Sequence, residues 1–170
     1  MLIHPLTKQA EIVFNIFMSV LKIITYPSPR LRKKSKAIEI ADMPQYKNFI
    51  TEMINIMIAK DGVGLAAPQV GKNINAVVIN KEIAKTKDHL VLCNPKITFF
   101  SAKKIILEEG CLSVPNFYGE VKRPEKIRMK AGDINGKPII IKTKGLLARV
   151  IQHEVDHLNG ILFIDKLENK

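Results

Sequence analysis

Apolar positions change their period along the chain, and those changes predict its elements. In "ADMPQYKNFITEMINIMIAKDG" (41–62), Phe49, Ile50, Met53, Ile54 and Met57 recur at helical spacing, the mark of an amphipathic helix with one buried face. Asp42 followed by Gln45 resembles a capping box, Pro44 suits a first turn, and Gly62 stands where the helix should stop. The pattern then shortens to β-rich runs: "NAVVIN" (75–80), "HLVLCNP" (89–95), "KKIILEEG" (103–110), "EKIRMKAGD" (125–133) and "KPIIIKTKG" (137–145). Asn135-Gly136 ahead of the last run predicts a hairpin, since both residues tolerate positive φ. Helical spacing returns in "LLARVIQHEVDHLN" (146–159), stopped by Gly160, and "ILFID" (161–165) predicts a closing strand. Strands run together instead of alternating with helices, so the expected class is α+β with mostly antiparallel sheet. Upstream, "ITYPSPRLRKKS" (24–35) reads as an extended, proline-punctuated stretch. Residues 1–17 are expected to be an extension outside the core, and 18–170 a single catalytic domain.

Composition narrows the class without naming a chemistry. A hydrophobic fraction of 46% and a charged fraction of 25% over 170 residues are those of an ordinary globular protein. The net charge of +11 permits a polyanionic partner. The lysines are scattered, however, and no RNA-recognition signature is present, so the charge reads as a solvated surface. Two cysteines, Cys93 and Cys111, are too few for a disulfide scaffold and point to a reducing, cytoplasmic setting. No apolar run is long enough to span a bilayer, and no membrane association is expected.

Candidate chemistry enters with "QHEVDHLNG" (152–160). Residues four apart share a helix face, so His153 and His157 can offer two imidazole nitrogens to one divalent ion. Glu154, turned by about 100° from His153, can reach an activated water without ligating. A metal needs a third protein ligand. In "HEVDHLNGILF" the place of a third metalloprotease histidine holds Phe163, which cannot ligate. Asp165 and Glu168 fall too close to the chain end. In "EEGCLSVP" (108–115), Cys111 follows a strand and Gly110; a thiolate there would complete a Cys-His-His set with a fourth position open. A lone cysteine is more often a buried apolar filler, and Cys93 keeps that reading. A further stretch, "DGVGLAAPQVG" (61–71), is too rich in small residues for a core element. It lacks the phosphate-loop pattern, while Gln69 offers an amide donor on a tight loop.

Together, "GVGLAAPQ" (62–69), "EGCLS" (109–113) and "QHEVDHLNG" (152–160) resemble the three motifs of the peptide deformylase family, in order and unbroken. The resemblance runs from about residue 21 to residue 167. It implies antiparallel sheets packed around a central helix carrying HExxH, with an amphipathic helix in the N-terminal part. It implies Cys111, His153 and His157 as metal ligands and Glu154 as general base and acid. Gln69 and the Leu112 N–H would steady the oxyanion, and Glu109 with Arg123 would hold the cysteine loop. Val63, Gly64, Gly110 and Val150 would bind substrate, with Val63 and Val150 bordering a pocket for a methionine side chain. The implied reaction is hydrolysis of the formyl group from N-formylmethionyl nascent peptides, with Fe(II) in the cell and Zn(II), Ni(II) or Co(II) also accepted. A monomer with transient ribosome contact is expected. The chain stops at "DKLENK", so docking through a long C-terminal helix is not. The rival readings are an HExxH metallopeptidase acting on internal peptide bonds and a non-enzymatic metal- or RNA-binding module.

Overall fold

A computed structural model of the chain describes residues 21–168; the extension expected over 1–17 lies outside them. The helices are α1 (Lys47–Ala59), a short α2 (Lys81–Ala84) and α3 (Gly145–Leu158). The strands are β1 (Gly64–Ala66), β2 (Ala76–Ile79), β3 (Leu90–Phe100), β4 (Lys104–Cys111), β5 (Val114–Pro124), β6 (Lys126–Gly132) and β7 (Pro138–Lys144). They form a five-stranded antiparallel sheet in the order β1-β2-β3-β6-β7 and a separate β4–β5 ribbon.

Both faces of the sheet are covered near β2, whose four residues are all buried. On one side Met53 and Met57 of α1 pack with Leu65, Ala76, Val78 and Cys93. On the other side Ala148, Val150, Ile151 and Leu158 of α3 pack with Ala66, Val77, Ile79, Leu92, Ile127 and Met129. The two faces of β2 thus each meet a helix stripe, whereas β6 turns Ile127 and Met129 to α3 and exposes its alternate residues. A third cluster, Leu31, Val114, Val121, Leu162 and Phe163, joins the ribbon to the C-terminal segment. The polar edge of α3 is left facing the ribbon, and that geometry builds the site.

Several elements depart from the sequence expectation for local reasons. Residues 40–46 form a 3-10 helix with Pro44 inside it, and α1 begins only at Lys47. At the other end of α1 the left-handed residue is Asp61 (φ 52°), not Gly62. In the β6–β7 turn only Gly136 has positive φ (82°). Asp133 Oδ1 accepts from the N–H groups of Asn135 and Lys137, an aspartate-anchored turn in place of a two-residue one. β5 was not expected, because Pro115, Asn116 and Gly119 interrupt its pattern; it forms by pairing along the whole of β4. The closing strand expected over 161–165 is instead a 3-10 helix, Phe163–Lys166. Asp165 dictates this by accepting from the Leu162 N–H at 2.9 Å and pairing with Arg32.

Candidate metal centre and active site

Helix α3 sets His153 and His157 one turn apart, with ring centroids 5.0 Å from each other. The β4–β5 ribbon turns tightly at Cys111, which bridges to Val114. This turn delivers the Cys111 sulfur to 3.2 Å from His157 Nε2. The ligand atoms of Cys111, His153 and His157 all lie within 4.8 Å of one another. His157 is buried, and among the described residues neither its Nδ1 nor Glu154 Oε2 has a hydrogen-bond partner. One sulfur and two nitrogens converging beside unpartnered buried polar atoms fit a divalent transition metal held by three protein ligands. Cys93 sits 0% exposed in the core near α1, where burial pushes its thiol up to about 11; it takes no part.

The charges around the centre explain its orientation. Burial disfavours a charge on His153, but the Cys111 sulfur and Glu109 outweigh it and hold the imidazolium up to about 10 in the metal-free protein. Burial, with the neighbouring charges of His153 and Arg123, drives His157 well below the ordinary histidine value. Glu109 Oε2 lies 2.9 Å from His153 Nδ1, which leaves Nε2 for the ion, the usual arrangement of a ligating histidine. Glu109 also accepts both arms of Arg123 (2.6 and 2.9 Å) and Arg149 Nη1 (2.6 Å). Burial works against its charge, yet His153 and Arg123 bring it down to about 2. Arg123 Nη1 reaches on to Asp156 at 2.6 Å, and Lys166 holds Asp156 from the far side at 2.7 Å. The Glu109–Arg123 pair is therefore present within a larger buried network.

Arg149 and Asp156 were missed in the sequence. Their signal was available: with His153 they lie at positions 149, 153 and 156 on one face of a helix, where unpaired charge would be prohibitive. Arg149 also donates to the Ile105 and Val121 carbonyls at 2.7 and 2.9 Å, tying α3 to the ribbon. Gln152 does the same through the Pro124 carbonyl at 3.0 Å.

Glu154 points into the same space and is 4% exposed. Desolvation raises its carboxyl to about 7. Gly64 lies against it: a Cβ there would come within 2.6 Å of Glu154 Oε1 and 2.9 Å of Val150. Gln69 is buried, and its Oε1 accepts from the Ala66 N–H at 2.8 Å. With the oxygen so engaged, the amide NH2 is what faces the sulfur of Cys111 (3.5 Å) and Ser113 Oγ (3.2 Å). Gly110 is flat against the Tyr118 ring, which a Cβ would meet at 2.6 Å. Val63, Gly64, Gln69, Gly110, Cys111, Leu112, Val150, His153 and Glu154 all border one cavity of about 720 Å³. All the site residues read from the sequence meet there except His157, which lies buried behind its wall. Phe163, in the place of a third histidine, is 1% exposed and stacks near His153 with centroids 6.1 Å apart.

Comparison with known proteins agrees with this geometry. The polypeptide deformylase family model matches residues 20–170. The chain is 45% identical to peptide deformylase 1B, chloroplastic, of Solanum lycopersicum over 91% of its own length and 55% of that protein's. It is 44% identical to a peptide deformylase of Psychrobacter arcticus, over 88% of this chain and 80% of that one. The chain spans about half the length of the plant relatives it matches. The crystal structure of a peptide deformylase from Synechococcus elongatus, in complex with actinonin, superposes with a TM-score of 0.82 at 42% identity, covering 89% of this chain and 81% of that one. A match that runs through both the sheet scaffold and the Cys-His-His set means that this chain belongs to the polypeptide deformylase family, whose members are metal-dependent.

Proposed function

We propose that this chain removes the formyl group from the N-terminal formylmethionine of newly made polypeptides by hydrolysis, releasing formate. The observation that carries the reading is the convergence of Cys111, His153 and His157 within 4.8 Å beside the cavity that Glu154 and Gln69 border. Bound by these three residues, a divalent ion, Fe(II) in the cell, supplies Lewis acidity to water and to the formyl oxygen. Zn(II), Ni(II) and Co(II) suit the same donors.

Glu154 acts as the base. Its carboxyl, raised to about 7 by burial, is matched to accept a proton from water near neutrality. Attack at the formyl carbon drives charge onto the formyl oxygen. The Gln69 amide, with its NH2 held toward Cys111, and the Leu112 N–H oppose that charge. One such preoriented donor is worth about 3–4 kcal/mol of barrier. Glu154 then passes its proton to the departing amine, freeing the N-terminus. Gly64 lies close against Glu154 and Val150, so a formyl group fits where a bulkier acyl group would not. Val63, Gly64, Gly110 and Val150 bind the peptide, with an apolar pocket for the methionine side chain. Phe163 in place of a ligand disfavours an internal-bond peptidase. A cytoplasmic location, a monomeric state and transient ribosome contact complete the proposal; the free thiols of Cys93 and Cys111 suit a reducing compartment.

The test is formate release from a formyl-Met peptide by anaerobically purified protein, with metal analysis of the same sample. Cleavage of unformylated peptides at internal bonds, without formate release, would overturn the assignment.

A further inference from the structure

The five-stranded sheet has one face that α3 covers and another that α1 covers only in part. On the α1 side, Ala76, Val78, Val91 and Cys93 lie under the helix. Cys93 is in register with Gly132, so the same face continues onto β6 and β7. There it carries Lys126, Arg128 and Lys130 of β6, all exposed. Opposite them stand Lys144, Lys142 and Ile140 of β7 on one side and, on the other, Phe99 and Lys96 of β3, opposite Arg128 and Lys130 respectively. Phe99 is 52% exposed and Ile140 63%. None of these three strands presents a carboxylate on this face, and none of its six cations pairs with an acid among the described residues.

Cross-strand neighbours are therefore like-charged: Lys126 faces Lys144, Arg128 faces Lys142, and Lys130 faces Lys96. Directly opposed like charges destabilise a sheet. Lysine along β7 protects an edge strand from unwanted pairing. That reason does not reach β6, which is paired on both sides. The strands are about 4.8 Å apart and alternate residues about 6.7 Å, so the cations form a closely spaced array around an exposed ring. Cationic surfaces with an aromatic on which a base can stack are how proteins hold unpaired nucleic acid strands.

We propose that this face of β3, β6 and β7 binds unpaired RNA, with phosphates on Lys96, Lys126, Arg128, Lys130, Lys142 and Lys144 and a base on Phe99. The face is separate from the metal centre and stands whether or not the deformylase assignment does. The test measures anisotropy of a fluorescent unpaired RNA oligonucleotide against the whole chain over a range of salt. Neutralising four to six phosphates predicts a slope of log affinity against log salt of roughly −3 to −4. Arg128→Glu with Lys130→Glu should weaken binding at least tenfold and flatten that slope. The same charge change at Lys81 and Lys87, far from this face, should weaken it less than threefold. Phe99→Ala should weaken binding severalfold with the slope unchanged. Lys142→Glu, which puts an acid opposite Arg128, should raise the unfolding midpoint while lowering RNA affinity, a divergence that a merely structural role does not produce. The proposal is overturned by equal losses from both charge-reversed pairs, by no RNA binding near 0.15 M salt, or by vesicles of anionic phospholipid binding this face while RNA does not. Thermal unfolding of each variant serves as the folding control.

Discussion

Glu154 carries the sharpest conflict between stability and chemistry. Its carboxyl is 4% exposed and, in the metal-free protein, is raised by desolvation to about 7. A carboxyl raised above its unfolded value favours the fold most below the unfolded pKa, and that contribution is lost as pH rises through about 7. Glu154→Gln should thus stabilise the metal-free protein above neutrality, by on the order of 3 kcal/mol at most, as denaturant titration at two pH values will read. The same variant should keep its metal and lose about 100- to 10,000-fold in turnover; near-normal turnover would remove Glu154 from the reaction. The cysteines make the complementary pair. Cys111→Ala should release the ion, whereas Cys93→Ala should retain it, as metal content after gel filtration will tell. Comparable loss from both would upset the ligand set.

Between elements, the decisive joint is the buried charge network that locks α3 to the β4–β5 ribbon. Glu109 receives Arg123, Arg149 and His153 at once. Removing one member leaves the others buried and uncompensated, a loss of about 3–5 kcal/mol. Arg149→Met should therefore destabilise the fold by that order and weaken metal affinity, although Arg149 touches no ligand atom. Equilibrium unfolding and competition with a chelator separate the two effects. The β1 loop is the other joint. Gly64→Ala would drive a methyl group to 2.6 Å from Glu154 Oε1, so turnover should fall steeply while metal content holds.

At the scale of the molecule, the ion's ligands come from a ribbon and a helix that belong to different sheets' surroundings. A bound ion should clamp the two together, and ligand binding to the native state alone raises stability by mass action. Stripping the metal should lower the unfolding midpoint and speed amide exchange in β4 and β5 more than in β2, which is buried on both faces. Equal acceleration throughout would show that the ion does not bridge these parts. The cationic face of β6 and β7 lies on the α1 side of the sheet, opposite α3, so the two surfaces can be altered independently.

Much of this architecture was legible in the linear order of residues, because its causes are local. Helical spacing from Phe49 to Met57 and from Ala148 to Leu158 needs only a buried stripe. HExxH declares its own geometry, since residues one turn apart on a helix must share a face. Non-local causes left no such trace. β5 exists because β4 lies beside it, not because "VPNFYGEVKRP" favours a strand. The segment 163–166 turns because Asp165 finds the Leu162 N–H and Arg32. Gly64 and Gly110 read as substrate contacts, yet each is also required by a side chain from another strand or helix, the Tyr118 ring for Gly110 and Glu154 for Gly64. Sequence alone determined which residues could bind a metal. Only the tertiary structure decided that they would meet, because a sulfur and two imidazoles from separate elements converge only when packing and paired charge hold the ribbon against the helix.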